Sequence, residues 1–352
     1  MEKGEKKERI LEYLRHGIAA GEWTGKVLPG EVELAEKFGF ARATVRRAYA
    51  QLVSEGFLER RKHRGTVLCG GYQEKYVIGA VMRCRDHFYE DVFRCLKAET
   101  SRSQYLLQTV DTYGFNVPKL RKHIRRGITG ILHAPISKVI LDGLVFNTYP
   151  MSRDLLRKQP VIFDYFDGIA PDGTTGVLID YHAVGRMGAE YLLKRGCRRP
   201  LLFCGPLKPR LRFCPETFSR HKDKQLLEGF SEVLRSAGMD PLSHVFLPVT
   251  DWKVIDRQLF EIFSSPECRP DGIFASQDVK VVRMLKIAAE CGYEPKHRIG
   301  VLNTPWSRGE GGHPFPTIAI SPEKCASALV EQVLLPPGRR RNVFIQPELI
   351  RR

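Results

Sequence analysis

The chain lacks any run of roughly 18 apolar residues, the length a membrane-spanning helix requires. Its first ten residues, MEKGEKKERI, carry charge where an export signal needs an apolar core, so a cytoplasmic location is expected. Nine cysteines are present, an odd number and scattered, and no two stand at C-x-x-C spacing, which argues against a metal site or a disulfide framework and for buried reduced thiols. No Gly-x-Ser-x-Gly elbow occurs, and no glycine-rich phosphate loop follows a strand-like run. The segment YVIGAVMRCRDHF has a single glycine and cannot be a dinucleotide fingerprint. A catalytic site would need a nucleophile beside a base, paired carboxylates or clustered metal ligands. The sequence offers none of these, so no catalytic residue, metal ligand or cofactor is assigned. Nor does any 20- to 50-residue period repeat, which removes the solenoid and propeller architectures.

Acidic residues are also in deficit: 40 Asp and Glu stand against 56 Lys and Arg, a net charge of +16. Such an excess favours a polyanionic partner. Residues 1–70 carry 14 basic and 10 acidic side chains, hence +4, and the remaining 282 residues carry 42 and 30, hence +12. One locally basic stretch is FGFARATVRRAYAQLVSEGFLERRKHRGTV, residues 38–67, with seven Arg and Lys against two Glu. Within it Val45, Ala48, Tyr49 and Leu52 fall at i, i+3, i+4 and i+7, the spacing of one buried helix face. Arg46, Arg47 and Ala50 then point away from that face, with Arg42 one turn before Arg46. Gly56 ends the helix, and ERRKHRGTVL reads as two strands around a turn at Gly65. Upstream, Ile10, Leu11, Leu14 and Ile18 mark a first amphipathic helix, and LPGEVELAEKFG a second with Leu34, Ala35 and Phe38 inward. Three helices and a hairpin thus fill about 68 residues, and the glycine-bearing CGGYQEK, residues 69–75, reads as a linker.

From Tyr76 the pattern changes. The apolar runs YVIGAVM, ITGILHA, PVIFDYF, GVLID, PLLFCGP, DGIFASQD and RIGVLNT alternate with helix patterns such as HAVGRMGAEYLLKRG and DKQLLEGFSEVLRSAG. Buried strands alternating with helices predict parallel, doubly wound sheets, and the number of strands predicts two α/β lobes.

A helix presenting Arg42, Thr44, Arg46 and Arg47 suits the DNA major groove, where arginine can bind guanine edges and phosphate. Arg60 to Arg64 around Gly65 suit the adjacent minor groove. In order and spacing, Leu28, Pro29, Glu31, Leu34, Ala35, Phe38, Gly39, Arg42, Thr44, Val45, Arg46, Ala48, Leu52, Gly56, Gly65 and Thr66 resemble the winged helix-turn-helix of the GntR family of bacterial transcription regulators. The resemblance implies DNA contacts by Glu31, Arg42, Thr44, Arg46 and Arg47, with Arg64, Gly65 and Thr66 on the wing. Two positions depart from the pattern: Gly30 stands where Ser commonly caps the second helix, and Ala41 where Ser or Thr commonly precedes the recognition arginine.

The remainder resembles the sensor domain of LacI/GalR-type regulators, itself similar to periplasmic sugar-binding proteins. RRGITGIL, QPVIFDYF, VLIDYHAVGRMGAEYLLKRGCRRPLLFCG, RPDGIFASQD, IGVLN, PTIAISPEKCASALV and FIQPELIRR carry that likeness by their order. A head of the first kind on a sensor of the second is the arrangement of arabinose-repressor-like regulators. The expected organisation is therefore a small α+β winged helix-turn-helix at 1–68, a linker at 69–75 and a two-lobed α/β periplasmic-binding-protein-like domain with parallel sheets at 76–352. Lobe 1 is expected at about 76–198 plus 321–336, and lobe 2 at about 199–320 plus 342–352. The implied protein is a homodimeric repressor of a pseudo-palindromic double-stranded DNA operator, with a sugar-like effector in the sensor cleft and no membrane partner. Candidate effector residues are Phe88, Asp164, Arg220, Gln277, Asp278 and Trp306. Here too the chain departs from the pattern, with Leu226 in place of a sugar-contacting arginine and Pro305 and Trp306 in place of an aspartate. Those departures motivate an alternative, a DNA-binding regulator whose cleft no longer binds sugar; a sugar-binding enzyme is a more distant alternative.

Overall fold

The computed structural model describes residues 3–19, 21–23, 27–84, 87–112, 118–148, 152–164, 170–205, 222–248, 252–301 and 315–350. Helix α1 (Lys3–Ala19) buries Ile10, Leu11, Leu14 and Ile18, as their spacing predicts. In α2 (Glu31–Phe38) the N-cap is Gly30, which has no side chain to cap with, but the Glu33 carboxylate accepts the Gly30 N–H at 3.3 Å and recovers part of the missing capping. Gly39 closes that helix at φ 63°, a left-handed conformation that favours glycine. Helix α3 (Arg42–Ser54) buries the stripe Val45, Ala48, Tyr49 and Leu52, and its Ala41 N-cap makes no side-chain bond. The Tyr49 hydroxyl donates to the Pro29 carbonyl at 2.6 Å, fixing α3 to the entry of α2. Strands β1 (Leu58–Arg61) and β2 (Gly65–Leu68) then pair antiparallel with Arg61 opposite Gly65.

The segment read as a linker is ordered against the head. Residues Tyr72–Tyr76 form a short helix, α4; the buried Tyr72 hydroxyl donates to the Ile18 carbonyl at 3.0 Å and the Tyr76 ring packs on Phe57.

The α/β region contains strands β3 (Val77–Met82), β4 (Leu106–Asp111), β5 (Lys138–Asp142), β6 (Val161–Phe163), β7 (Thr175–Ile179), β8 (Pro200–Phe203), β9 (Val245–Phe246), β10 (Gly272–Ala275), β11 (His297–Val301), β12 (Thr317–Ala319), β13 (Val343–Ile345) and β14 (Glu348–Ile350). Its helices are α5 (His87–Arg102), α6 (Pro118–His133), α7 (Gly143–Thr148), α8 (Ser152–Arg157), α9 (Tyr181–Lys194), α10 (Lys222–Ser236), α11 (Trp252–Ser264), α12 (Asp278–Glu290) and α13 (Pro322–Leu334). One six-stranded sheet has the order β13-β7-β6-β5-β3-β4, the other β14-β12-β11-β10-β8-β9. Their central strands are apolar and buried on both faces, as parallel strands covered by helices must be.

Two expectations are corrected. ITGILHA is not a strand but the end of α6; Ile128, Ile131 and Leu132 recur at i, i+3 and i+4, a helical period hidden in a short apolar run. Residues 342–352 do not all belong to one lobe, because β13 runs parallel to β7 in the first sheet and only β14 joins the second, antiparallel to β12. By internal contacts the chain divides into one unit of Met1–Cys84, Phe93–Val161 and Leu329–Arg340, and another of Arg85–Val92, Ile162–Ala328 and Arg341–Arg352. Among the described residues no helix is long and apolar enough to cross a membrane.

Helices α9 and α10 cross with their backbones touching: a Cβ on Gly185 would lie 1.9 Å from the Leu226 carbonyl oxygen, and one on Gly229 2.0 Å from that of His182. Neither backbone atom can yield as a side chain would. Gly185→Ala is expected to destabilise the protein by about 1–3 kcal/mol in urea unfolding; an unchanged midpoint would show that the crossing is not this tight.

Candidate functional site

In the head, burial of the α3 stripe turns Arg42, Arg46 and Arg47 to solvent, and the hairpin presents exposed Arg60, Arg61, Lys62, His63 and Arg64. Glu31, at the start of α2, connects the two groups: one carboxylate oxygen accepts from Arg46 Nε at 3.1 Å and the other from an Arg60 guanidinium nitrogen at 3.0 Å. Glu31 thus holds cations from the helix and the wing at a fixed separation. These two ion pairs are what the structure shows for Glu31.

Thr44 is largely buried. It lies beside Val45 and is only 6% exposed, and its hydroxyl accepts from a guanidinium nitrogen of the exposed Arg47 at 3.5 Å. The wing turn contains two residues at positive φ, His63 at 62° and Gly65 at 76°. A Cβ on Gly65 would meet Val27 at 2.8 Å, so glycine there is required by the protein's own packing as well as by its backbone angle. Thr66 is half-buried, and its carbonyl accepts the Leu28 N–H at 2.9 Å; a bridge between Val27 and Val67 adds a third extended segment to the wing.

Each parallel sheet has a point where strand order reverses, and open α/β sheets bind ligands outside the carboxyl ends at that point. In the first sheet the reversal lies between β3 and β5. There Arg83 forms a bidentate pair with Asp142, Nε to one oxygen at 2.5 Å and a terminal nitrogen to the other at 3.2 Å, while Asp111 at the end of β4 accepts the Cys84 N–H at 3.1 Å. In the second sheet the reversal lies between β8 and β10. There Lys280, only 7% exposed, donates to Ser276 Oγ at 2.7 Å and stands over the Phe203 ring. Burial pushes its ammonium pKa down, and nearby Asp223 opposes that shift. Burial raises the Cys204 thiol pKa well above its ordinary value, so this cysteine stays protonated.

The expected effector residues fare unevenly. Asp164 does end β6 and is buried, but at a φ of 49° its carboxylate is already engaged, by the Tyr89 hydroxyl and by the Tyr181 hydroxyl at 3.2 Å. Phe88 is buried against Tyr89 and Phe163 as packing. Gln277 is the N-cap residue of α12 without a side-chain capping bond. Asp278, in the first turn of α12, accepts from the buried Thr317 hydroxyl at 2.8 Å, which ties the helix to β12 and fits a structural role better than ligand binding. Arg220 and Trp306 lie outside the described residues. Leu226 is fully buried in the α9–α10 crossing, and Lys224 pairs with Glu228 on its own helix. Sequence reasoning alone does not reach Arg83, Asp142, Tyr89, Tyr181 and Lys280; the signal for the first two is their position at the ends of VMR and VILD. Among the described residues no group of His, Cys, Asp and Glu is arranged to hold a metal ion.

Comparison with known proteins matches residues 6–68 to the family model "Bacterial regulatory proteins, gntR family", and the head is a helix-turn-helix domain of that type. The transcriptional repressor NagR of Bacillus subtilis is 43% identical over 72 residues, 20% of this chain and 30% of that protein. The sucrose operon repressor of Streptococcus mutans is 25% identical over 197 residues, 55% of this chain and 56% of that one. The chain therefore spans about a third to just over half the length of these two relatives. A LacI transcriptional regulator from a Rhodococcus species has the same fold with a TM-score of 0.61 at 15% identity, over 78% of this chain and 97% of that structure. The α/β region accordingly has the two-lobed periplasmic-binding-protein-like fold.

The Asp164 cluster yields a direct expectation. Tyr89→Phe leaves a buried carboxylate short of a donor and should cost about 1–3 kcal/mol of stability in urea unfolding, whereas Tyr181→Phe, at a half-buried position, should cost less. Equal and negligible effects would mean that the tyrosines do not hold Asp164.

Proposed function

We propose that this protein is a sequence-specific DNA-binding transcriptional regulator, acting as a cytoplasmic homodimeric repressor whose operator affinity is modulated by a small, sugar-like effector in the C-terminal domain. The observation that carries the reading is the Glu31-linked pair of Arg46 and Arg60, cations from a groove-sized helix and its wing held together on one exposed face. The names of two relatives, both repressors and one of a sucrose operon, support the repressor and sugar assignments. One recognition helix per half-site would read a pseudo-palindrome whose half-sites lie ~10 bp or a multiple apart. Coupling to effector is expected at about 1–3 kcal/mol and acts reciprocally on effector affinity. No reaction is assigned to the protein.

A second reading is favoured by specific observations: Leu226 is core, Asp278 is committed to Thr317, and Asp164 to two tyrosines. On that reading the protein represses without a sugar. A thermal-shift screen with mono- and oligosaccharides separates the two, since a ligand at about 100 times its Kd stabilises by roughly 2.7 kcal/mol. Saturable stabilisation supports the sugar-modulated regulator, and a flat screen supports the second reading.

For the interface itself, Arg46→Ala is expected to lower specific operator affinity by about 1–3 kcal/mol while leaving random-sequence binding nearly unchanged; Arg64→Ala should weaken both and flatten the salt dependence. Fluorescence anisotropy on the two duplexes at fixed salt measures this. An equal drop in specific and random binding in Arg46→Ala would remove its base-reading role.

A further inference from the structure

The winged helix accounts for only +4 of the net charge, and a large part of the other +12 is local. From Thr112 to Leu141 the chain has no Asp or Glu and six cations, Lys119, Arg121, Lys122, Arg125, Arg126 and Lys138. Five of the six fall on α6. That helix packs its Ile128, Ile131 and Leu132 side inward and presents Lys122, Arg125 and Arg126 to solvent, and among the described residues no ion pair engages these three.

A solvated surface helix ordinarily interleaves its cations with acids, as α9 does with Arg186, Glu190 and Lys194, and α10 with Lys224 and Glu228. Helix α6 does the opposite. Lys122 and Arg126 are a like-charged pair at i, i+4, and the first turn of the helix carries no acid. This arrangement opposes helix stability, and a polyanion would relieve it. Strand β4 lies at the edge of its sheet, and both α6 and the head's own α1 pack against it, within one compact unit.

We infer that the exposed face of α6 is a second DNA-binding surface, gripping the phosphate backbone without reading sequence, in addition to the winged helix. A second copy of this face is a poor occupant, because two such cationic surfaces repel each other. The inference rests on the proposed DNA-binding function.

The test compares the full-length protein with the triple variant Lys122→Gln, Arg125→Gln, Arg126→Gln on a random-sequence duplex of about 30 bp, by anisotropy between about 50 and 200 mM salt. Every phosphate that the variant no longer neutralises should flatten the slope of log K against log salt by about 0.9, so a change of roughly 2–3 is expected, with affinity about tenfold or more weaker at 100 mM. A second variant, Lys122→Arg, Arg125→Lys, Arg126→Lys, keeps the charge and should keep the wild-type slope; circular dichroism melting verifies that both variants fold. Wild-type binding with an unchanged slope in the neutralised variant would overturn the inference while leaving the regulator reading intact. A variant that alters the sedimentation-determined oligomeric state, or capture of an acidic protein, without altering the DNA slope would also overturn it. Absence of salt-dependent DNA binding by the wild type would overturn both.

Discussion

The head depends on one constraint: α3 has a single apolar stripe to bury, and burying it determines where every cation goes. With Val45, Ala48, Tyr49 and Leu52 in the core, Arg42, Arg46 and Arg47 must face water. Hydrophobic burial is not directional, so a second interaction sets how α3 meets its neighbours. The Tyr49 hydroxyl supplies it by bonding to the Pro29 carbonyl, which brings the start of α2, and with it Glu31, beside Arg46. Glu31 then reaches Arg60 on the hairpin, so the helix and wing cations share one anchor. An exposed pair of this kind contributes little to stability, typically about 0–1 kcal/mol. Its consequence is geometric, because two arginines held at a fixed separation lose less freedom on binding a rigid polyanion.

The sheets obey a parallel rule. Strands buried on both faces leave polar side chains only at their ends, and parallel order gathers the carboxyl ends on one side of the sheet. In both sheets the point of reversal carries a largely buried cation, Arg83 in one and Lys280 in the other, each with an internal partner. A buried charge without a partner would cost several kcal/mol, so a ligand entering either place has to replace an existing bond of equal quality. A molecule binding at either place would have to bring its own hydroxyls or charges to the exchange.

Much of this is legible in the sequence. The helical stripe of α3, the glycines at 39, 56 and 65 and the apolar runs of β3, β6, β7, β8, β10 and β11 each follow from periodicity or backbone freedom that a single sequence displays. ITGILHA misleads because seven apolar-rich residues satisfy both a buried strand and a helix end, and only the cations preceding it extend the helical period. The short β12, β13 and β14 have too few residues to show a period at all. Within the candidate site, exposed arginines can be inferred from the faces they leave free. Glu31's bridge and the capture of Asp164 and Asp278 cannot, since each depends on a partner 15 to 75 residues away. Thr44's burial cannot either, because a neighbouring face that only tertiary packing defines covers it.

The central claim is sequence-specific DNA recognition by the head in the setting of the whole chain. Its most direct test is to select bound duplexes from a randomised pool with the full-length protein and sequence what is enriched. The expected result is a two-fold-symmetric motif with half-sites ~10 bp or a multiple apart, lost when Arg46→Ala protein is used. Retention of DNA with no enrichment over the starting pool would contradict it, leaving a basic protein that holds nucleic acid by charge alone.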